Sequence, residues 1–114
     1  MPPYTPDRGD FCLIQLSPQA GSEMAGDHRI LVLSTAAFST ATGYVVGCPV
    51  TTKIKGSPFE VVIPPGTRMH GCVLAYEVRT MDYLARHARF IDRAPATVVR
   101  QVQAIVQAIV TDIA

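Results

Sequence analysis

Arg29-Ile-Leu-Val-Leu-Ser34 and Tyr44-Val-Val-Gly-Cys-Pro-Val50 are the two runs on which the fold turns. Both are short, mostly apolar and rich in β-branched residues, so they read as central strands joined by the Ala- and Thr-rich stretch 35–43. Pro49 takes one ladder donor from the second run, and a bulge or an edge is expected there. Upstream, Asp10-Phe-Cys-Leu-Ile-Gln-Leu-Ser17 is a first strand, preceded by a proline-bearing extended arm over residues 1–8 and stopped by Pro18. Downstream, the turn Lys55-Gly-Ser-Pro58 leads into Phe59-Glu-Val-Val-Ile63, which Pro64-Pro-Gly66 closes, and a further strand is expected over residues 71–78.

Two segments depart from the strand pattern. Val98, Val102, Ile105 and Ile109 recur at helical spacing, widened by Val99, Val106 and Val110, so residues 94–112 are expected to form a helix with Pro95 in its first turn. One or two helical turns are also expected within residues 80–88, capped by Thr80 or Asp82. Residues 17–27 carry Gly21, Ser22, Glu23 and Gly26 without apolar periodicity; they read as a loop of about ten residues, a length that tends to accompany function. Five strands followed by a helix predict a mainly β fold, a twisted antiparallel sheet closing toward an SH3-like barrel with the C-terminal helix packed on it.

At 114 residues the chain has the size of one domain and shows no internal repeat, so a single domain over residues 1–114 is expected. Its 48% hydrophobic and 17% charged residues exclude a disordered tail and leave apolar surface for self-association, which makes a homodimer the expected state. A net charge of +1 excludes a broadly basic phosphate binder, so any such site must be local. Lys53, Lys55, Arg79, Arg86, Arg89 and Arg93, grouped after the middle of the chain, could line one positive groove. Cys12, Cys48 and Cys72 are odd in number, form no CxxC pair and sit in strand-like runs; they read as reduced core residues. No leader-like pattern opens the chain and no apolar run approaches ~18 residues, so neither secretion nor a membrane span is expected, and a cytoplasmic setting fits. His70 and His87 lie in unlike segments and imply no metal site.

Tyr4-Thr-Pro-Asp-Arg-Gly-Asp10, Pro18-Gln-Ala-Gly-Ser-Glu-Met-Ala-Gly26, a basic pair and Val32-Leu-Ser34 resemble the opening of MazF/PemK-type (ChpA- and Kid-like) toxins. Cys48-Pro-Val-Thr-Thr52, Lys55-Gly-Ser-Pro-Phe-Glu-Val61, Gly71-Cys-Val-Leu-Ala75 and the arginine-rich stretch before the last helix follow in that family's order, so the resemblance spans almost the whole chain. It implies the fold of the CcdB/MazF/Kid toxins. It also implies the toxin of a type II toxin–antitoxin pair, a homodimer that cuts single-stranded RNA at short sequences without a metal or other cofactor and is held by a cognate MazE-like antitoxin.

The resemblance places a reactive threonine in the Pro-x-Thr-Thr segment, where Thr51 is the match, with Thr52 the weaker candidate beside it. The family reads Arg-Pro before its second strand, whereas this chain reads Asp27-His28-Arg29-Ile30. Counting back from Ser34 without a gap puts His28 in the arginine's place. A one-residue shift exchanges the faces of a strand; Arg29 is the expected residue, with the loop or a bulge absorbing the slip, and His28, of a residue type suited to proton transfer near neutral pH, is the alternative beside it. Glu23 matches the family's loop carboxylate, either orienting the basic group or contacting a base, and Lys53, Lys55, Arg79 and Arg86 are the expected RNA contacts. Two other readings stay open: a CcdB-like gyrase poison, which shares the fold and acts by binding, and a catalytically weakened SH3-like binding module.

Overall fold

The structure, a computed structural model, describes residues 4–15 and 27–111. Seven strands are present among them: β1 (Asp10–Gln15), β2 (Asp27–Val32), β3 (Tyr44–Thr51), β4 (Glu60–Val62), β5 (Cys72–Leu74), β6 (Arg79–Asp82) and β7 (Arg89–Arg93). Helix α1 (Ala36–Thr42) joins β2 to β3, and α2 (Ala96–Thr111) ends the described chain. The strands run β4-β5-β3-β2-β1-β7, all antiparallel, with β6 also paired to β3. The result is an open twisted antiparallel sheet with a C-terminal helix, the fold class expected from the strand pattern, with β6 and β7 added to the five expected strands.

β3 organises the sheet. Its first half pairs with β6 from Tyr44↔Asp82 to Gly47↔Arg79, and its end pairs with β5 through Val50↔Val73 and Thr51↔Cys72. Pro49 is neither at an edge nor in a bulge; it lies opposite Ile30 of β2, at the point where β3 leaves β6 and takes up β5, a place that can spare a donor.

Period-2 alternation gives the sheet two covered faces. On one, Phe11, Leu31, Cys48 and Val73 pack under Val98, Val99 and Val102 of α2. On the other, Cys12, Ile14, Ile30, Val32, Val45 and Met81 pack with Tyr83 and the half-buried Tyr4. All three cysteines are free and buried, and burial pushes the thiols of Cys12 and Cys48 up to about 12. Tyr4 is anchored by its hydroxyl, which donates to Asp10; the buried Asp10 carboxylate also accepts from the Asp7 N–H and pairs with Arg93 at 2.5 Å.

Two expected elements differ in extent, and one stretch for which no element was expected holds a helix. Residues 80–88 are helical only in part: Thr80 to Asp82 belong to β6, because Val45 and Val46 of β3 offer an open ladder to Thr80 and Met81, and residues 83–87 form one hydrogen-bonded turn that the Asp82 carboxylate caps through the Ala85 N–H. The strand expected over residues 71–78 stops at Leu74 and tightens into a single 3₁₀ turn, Ala75–Glu77, which packs against α2. The stretch 35–43 holds α1, with the Thr35 hydroxyl accepting from the Phe38 N–H and Gly43 closing it in the left-handed conformation. Glu23 and most of its loop lie outside the described residues.

Candidate active site

β2 pairs with β1 over five consecutive residues, from Phe11↔Leu31 to Gln15↔Asp27, and with β3 from Ile30↔Pro49 to Val32↔Gly47, without a bulge against either neighbour. That regularity decides which side each residue of Asp27-His28-Arg29-Ile30 takes. His28 and Ile30 share one face, and Pro49 and Thr51 share one face of β3; since Ile30 lies opposite Pro49, His28 and Thr51 project to the same side. Arg29 projects to the other, with Asp27 and Leu31.

On the His28 side lies a cleft of about 180 Å³. Its floor is apolar, made by Ile14, Ile30, Pro49 and Met81, and its polar rim holds His28, Arg79 and Glu77. The pairing of Gly47 with Arg79 carries the guanidinium there, where it meets the Glu77 carboxylate at 3.2 Å while remaining half exposed. An imidazole, a cation and a carboxylate thus converge on a partly desolvated concavity, the makings of acid–base chemistry on an anionic substrate.

Thr51 closes β3 on this side. Its hydroxyl oxygen accepts from the Lys53 N–H at 3.1 Å, which fixes the side chain while leaving its proton to donate elsewhere. Its backbone is held from behind by Gly71, whose φ of +104° suits glycine; a Cβ there would stand 2.0 Å from the Thr51 carbonyl oxygen. The following loop carries Lys53 and Lys55, both exposed. It is tied down by Glu60, whose carboxylate accepts from the N–H groups of Lys55 at 3.1 Å, Gly56 at 2.9 Å and Ser57 at 3.3 Å.

The basic residues fall in three places rather than one groove. Arg79 is in the cleft, with the Lys53–Lys55 loop following Thr51. Arg86 and Arg89 sit at the far end of the β1–β2 hairpin, Arg86 donating to the Gln15 carbonyl at 3.4 Å and Arg89 paired with Asp27 at 2.8 Å. Arg93 is drawn to Asp10 near the start of α2. Arg29, exposed on the Arg89 side, takes no hydrogen bond or ion pair among the described residues. Glu77 and Gly71 are residues of this candidate site that sequence reasoning missed. Only the β3–β6 pairing brings the neighbourhood of Glu77 to His28; for Gly71 a lone glycine opening a strand was a signal.

The family described as "PemK-like, MazF-like toxin of type II toxin-antitoxin system" matches residues 7–110, and the chain belongs to it. Among its relatives, the endoribonuclease toxin MazF of Escherichia coli K12 is 40% identical over 85 residues, 75% of this chain and 76% of that one. The endoribonuclease PemK of Escherichia coli is 32% identical over 109 residues, 92% of this chain and 82% of its own length. A crystal structure of MazE–MazF from Deinococcus radiodurans superposes with a TM-score of 0.90 at 38% identity, covering 96% of this chain and 99% of that one.

Proposed function

We propose that this chain is the endoribonuclease toxin of a type II pair, cutting single-stranded RNA with His28, Thr51 and Arg79 around the scissile phosphate. What carries the reading is the unbroken β2 register, which sets His28, rather than Arg29, on the side of Thr51 and the cleft. The named relatives, both endoribonucleases, support the activity. In the reaction the ribose 2′-oxygen attacks phosphorus, its proton passes to a base, the bond to the 5′-oxygen breaks and that oxygen takes a proton. The products are a 2′,3′-cyclic phosphate and a 5′-hydroxyl. His28 is placed for proton transfer, Arg79 for the charge growing on the phosphorane, and the Thr51 hydroxyl for a non-bridging oxygen. Glu77 opposite Arg79 orients the guanidinium, and Lys53 and Lys55 hold phosphates further along the strand.

The working unit is a homodimer. Ile54, Phe59, Val62 and Tyr76 are all large and exposed, and the bond from the Ala75 N–H to the Phe59 carbonyl and the β4–β5 pairing bring the segments of Phe59, Val62 and Tyr76 together, apolar surface suited to a second copy. The inhibitor is a small antitoxin whose acidic, disordered segment orders over the basic cleft, in keeping with the MazE–MazF complex among the structural neighbours.

Purified chain incubated with a long single-stranded RNA in EDTA, with cut sites mapped by primer extension, tests the activity. Discrete cuts are expected, abolished by antitoxin and reduced about 10²-fold in Thr51→Val, which keeps shape and loses the hydroxyl. Intact RNA at micromolar protein would reject the reading.

A further inference from the structure

A second cavity, of about 570 Å³, opens next to the cleft and is lined by Tyr4, Gln15, Tyr83, Leu84, His87 and Arg89, with Ala88. The two share neighbouring residues of the same elements: Ile14 lines the cleft and Gln15 the cavity, Met81 the cleft and Tyr83 the cavity. The two concavities therefore open onto neighbouring residues of the same stretches of chain.

Its walls are rigid. The turn after β6 is locked by bonds from the Ala85 N–H to the Asp82 carboxylate at 2.9 Å, from the Arg86 N–H to the Asp82 carbonyl at 3.1 Å and from the Ala88 N–H to the Tyr83 carbonyl at 2.9 Å. Tyr4 is pinned through its hydroxyl to Asp10 and Cys12, and its ring meets Phe90 edge-on with centroids 6.0 Å apart. Within this frame His87 is the one non-glycine residue of the described chain with positive φ, at 52°. Stability alone favours glycine or asparagine there. Among the described residues the ring takes no hydrogen bond or ion pair in return, and it faces the cavity. Backbone strain without a partner among the described residues, beside a concavity between them, points to a residue kept for a ligand.

We propose that this cavity is a subsite for one unpaired base of the RNA flanking the cut; it rests on the endoribonuclease reading above. The base lies against the His87 ring and the tyrosine walls, as unpaired bases do on aromatic side chains. Its phosphate meets Arg89, whose half-exposed guanidinium is already oriented by Asp27 at 2.8 Å. The cavity then selects the nucleotide beside the scissile bond and takes no part in bond breaking.

The test is His87→Gly, which deletes the ring and relieves the strained backbone, so the fold is kept and thermal stability holds or rises. Steady-state cleavage of a short RNA carrying one mapped cut site should show KM raised about 10-fold with kcat unchanged. Cut-site profiling on a long RNA should show a relaxed preference at one position flanking the cut. His87→Phe, which restores a ring face, should recover most of the KM and the preference. Wild-type KM and preference in His87→Gly, or a loss confined to kcat, would overturn the subsite while leaving the activity standing. RNA left intact by the wild-type protein would strike the endoribonuclease reading itself.

Discussion

His28 and Arg29 are consecutive in the chain and belong to two different environments. His28 stands on a face where Ile14, Ile30 and Met81 withdraw water and where Arg79 and Glu77 bring opposite charges within 3.2 Å of each other. Arg29 stands on the other face, past the end of the core under α2, beside the solvent-exposed pair Arg89–Asp27. Charge alone would pick the arginine for a phosphate chemistry. On the proposed reading geometry favours the histidine, because a strand without a bulge gives its neighbours no choice of side. The effect of a charged group follows from what surrounds it, and of the two residues His28 lines the cleft and Arg29 does not.

The contrast can be broken first through the backbone. Gly71→Ala drives a methyl against the Thr51 carbonyl from behind, so Thr51 must move, and an error of about 1 Å in a reacting group costs on the order of 10²-fold in rate. Gly66→Ala is its control: φ there is +121° and no atom lies within 4 Å of the added carbon. Both variants carry backbone strain of about 1–3 kcal/mol, but only Gly71→Ala should lose activity at fixed folded fraction. Equal rates in the two would remove Gly71 as the support of Thr51.

The folding stability should respond much less to a change on the Arg29 face. Arg89→Ala deletes an exposed ion pair, so urea unfolding should shift by less than about 1 kcal/mol, and the difference should shrink in high salt. A larger, salt-independent loss would mean that this side is structurally coupled to the core.

The smallest effect is acid sensitivity away from both faces. The Asp7 carboxylate accepts the Ala36 N–H at 2.9 Å, and that bond holds its pKa below the ordinary 3.8. The Arg68 N–H does the same for Asp92. A carboxyl with a depressed folded pKa stabilises fully above its unfolded value and loses that contribution as pH falls through the folded one. Urea midpoints should therefore hold from neutral pH to about 4 and decline below 3.8, with a shallower decline in Asp7→Asn. A decline already under way near neutral pH would mean that another group dominates.

Much of this was legible in the chain. Arg29 to Ser34 and Tyr44 to Val50 read as central strands because their β-branched runs leave no helical alternative, and Val98, Val99 and Val102 announced the helix that covers one face. The capping signals of α1, Thr35 and Gly43, were also present, but seven residues without an apolar stripe gave them nothing to frame. Residues 80–88 were legible by half, since Asp82 does cap a turn over residues 83–87. Their local propensity allowed a helix, while the ladder on β3 that claims Thr80 and Met81 is more than thirty residues away. At the site, Thr51 came from its motif, whereas the side taken by His28 needed the register with β1 and β3, which no single segment contains.

Single-turnover cleavage by His28→Ala and Arg29→Ala, each checked for folding by circular dichroism, tests the central claim most directly. The account predicts a loss of about 10²-fold or more for His28→Ala, with Arg29→Ala within about threefold of wild type. A severe loss in Arg29→Ala with near-wild-type cleavage in His28→Ala would contradict it.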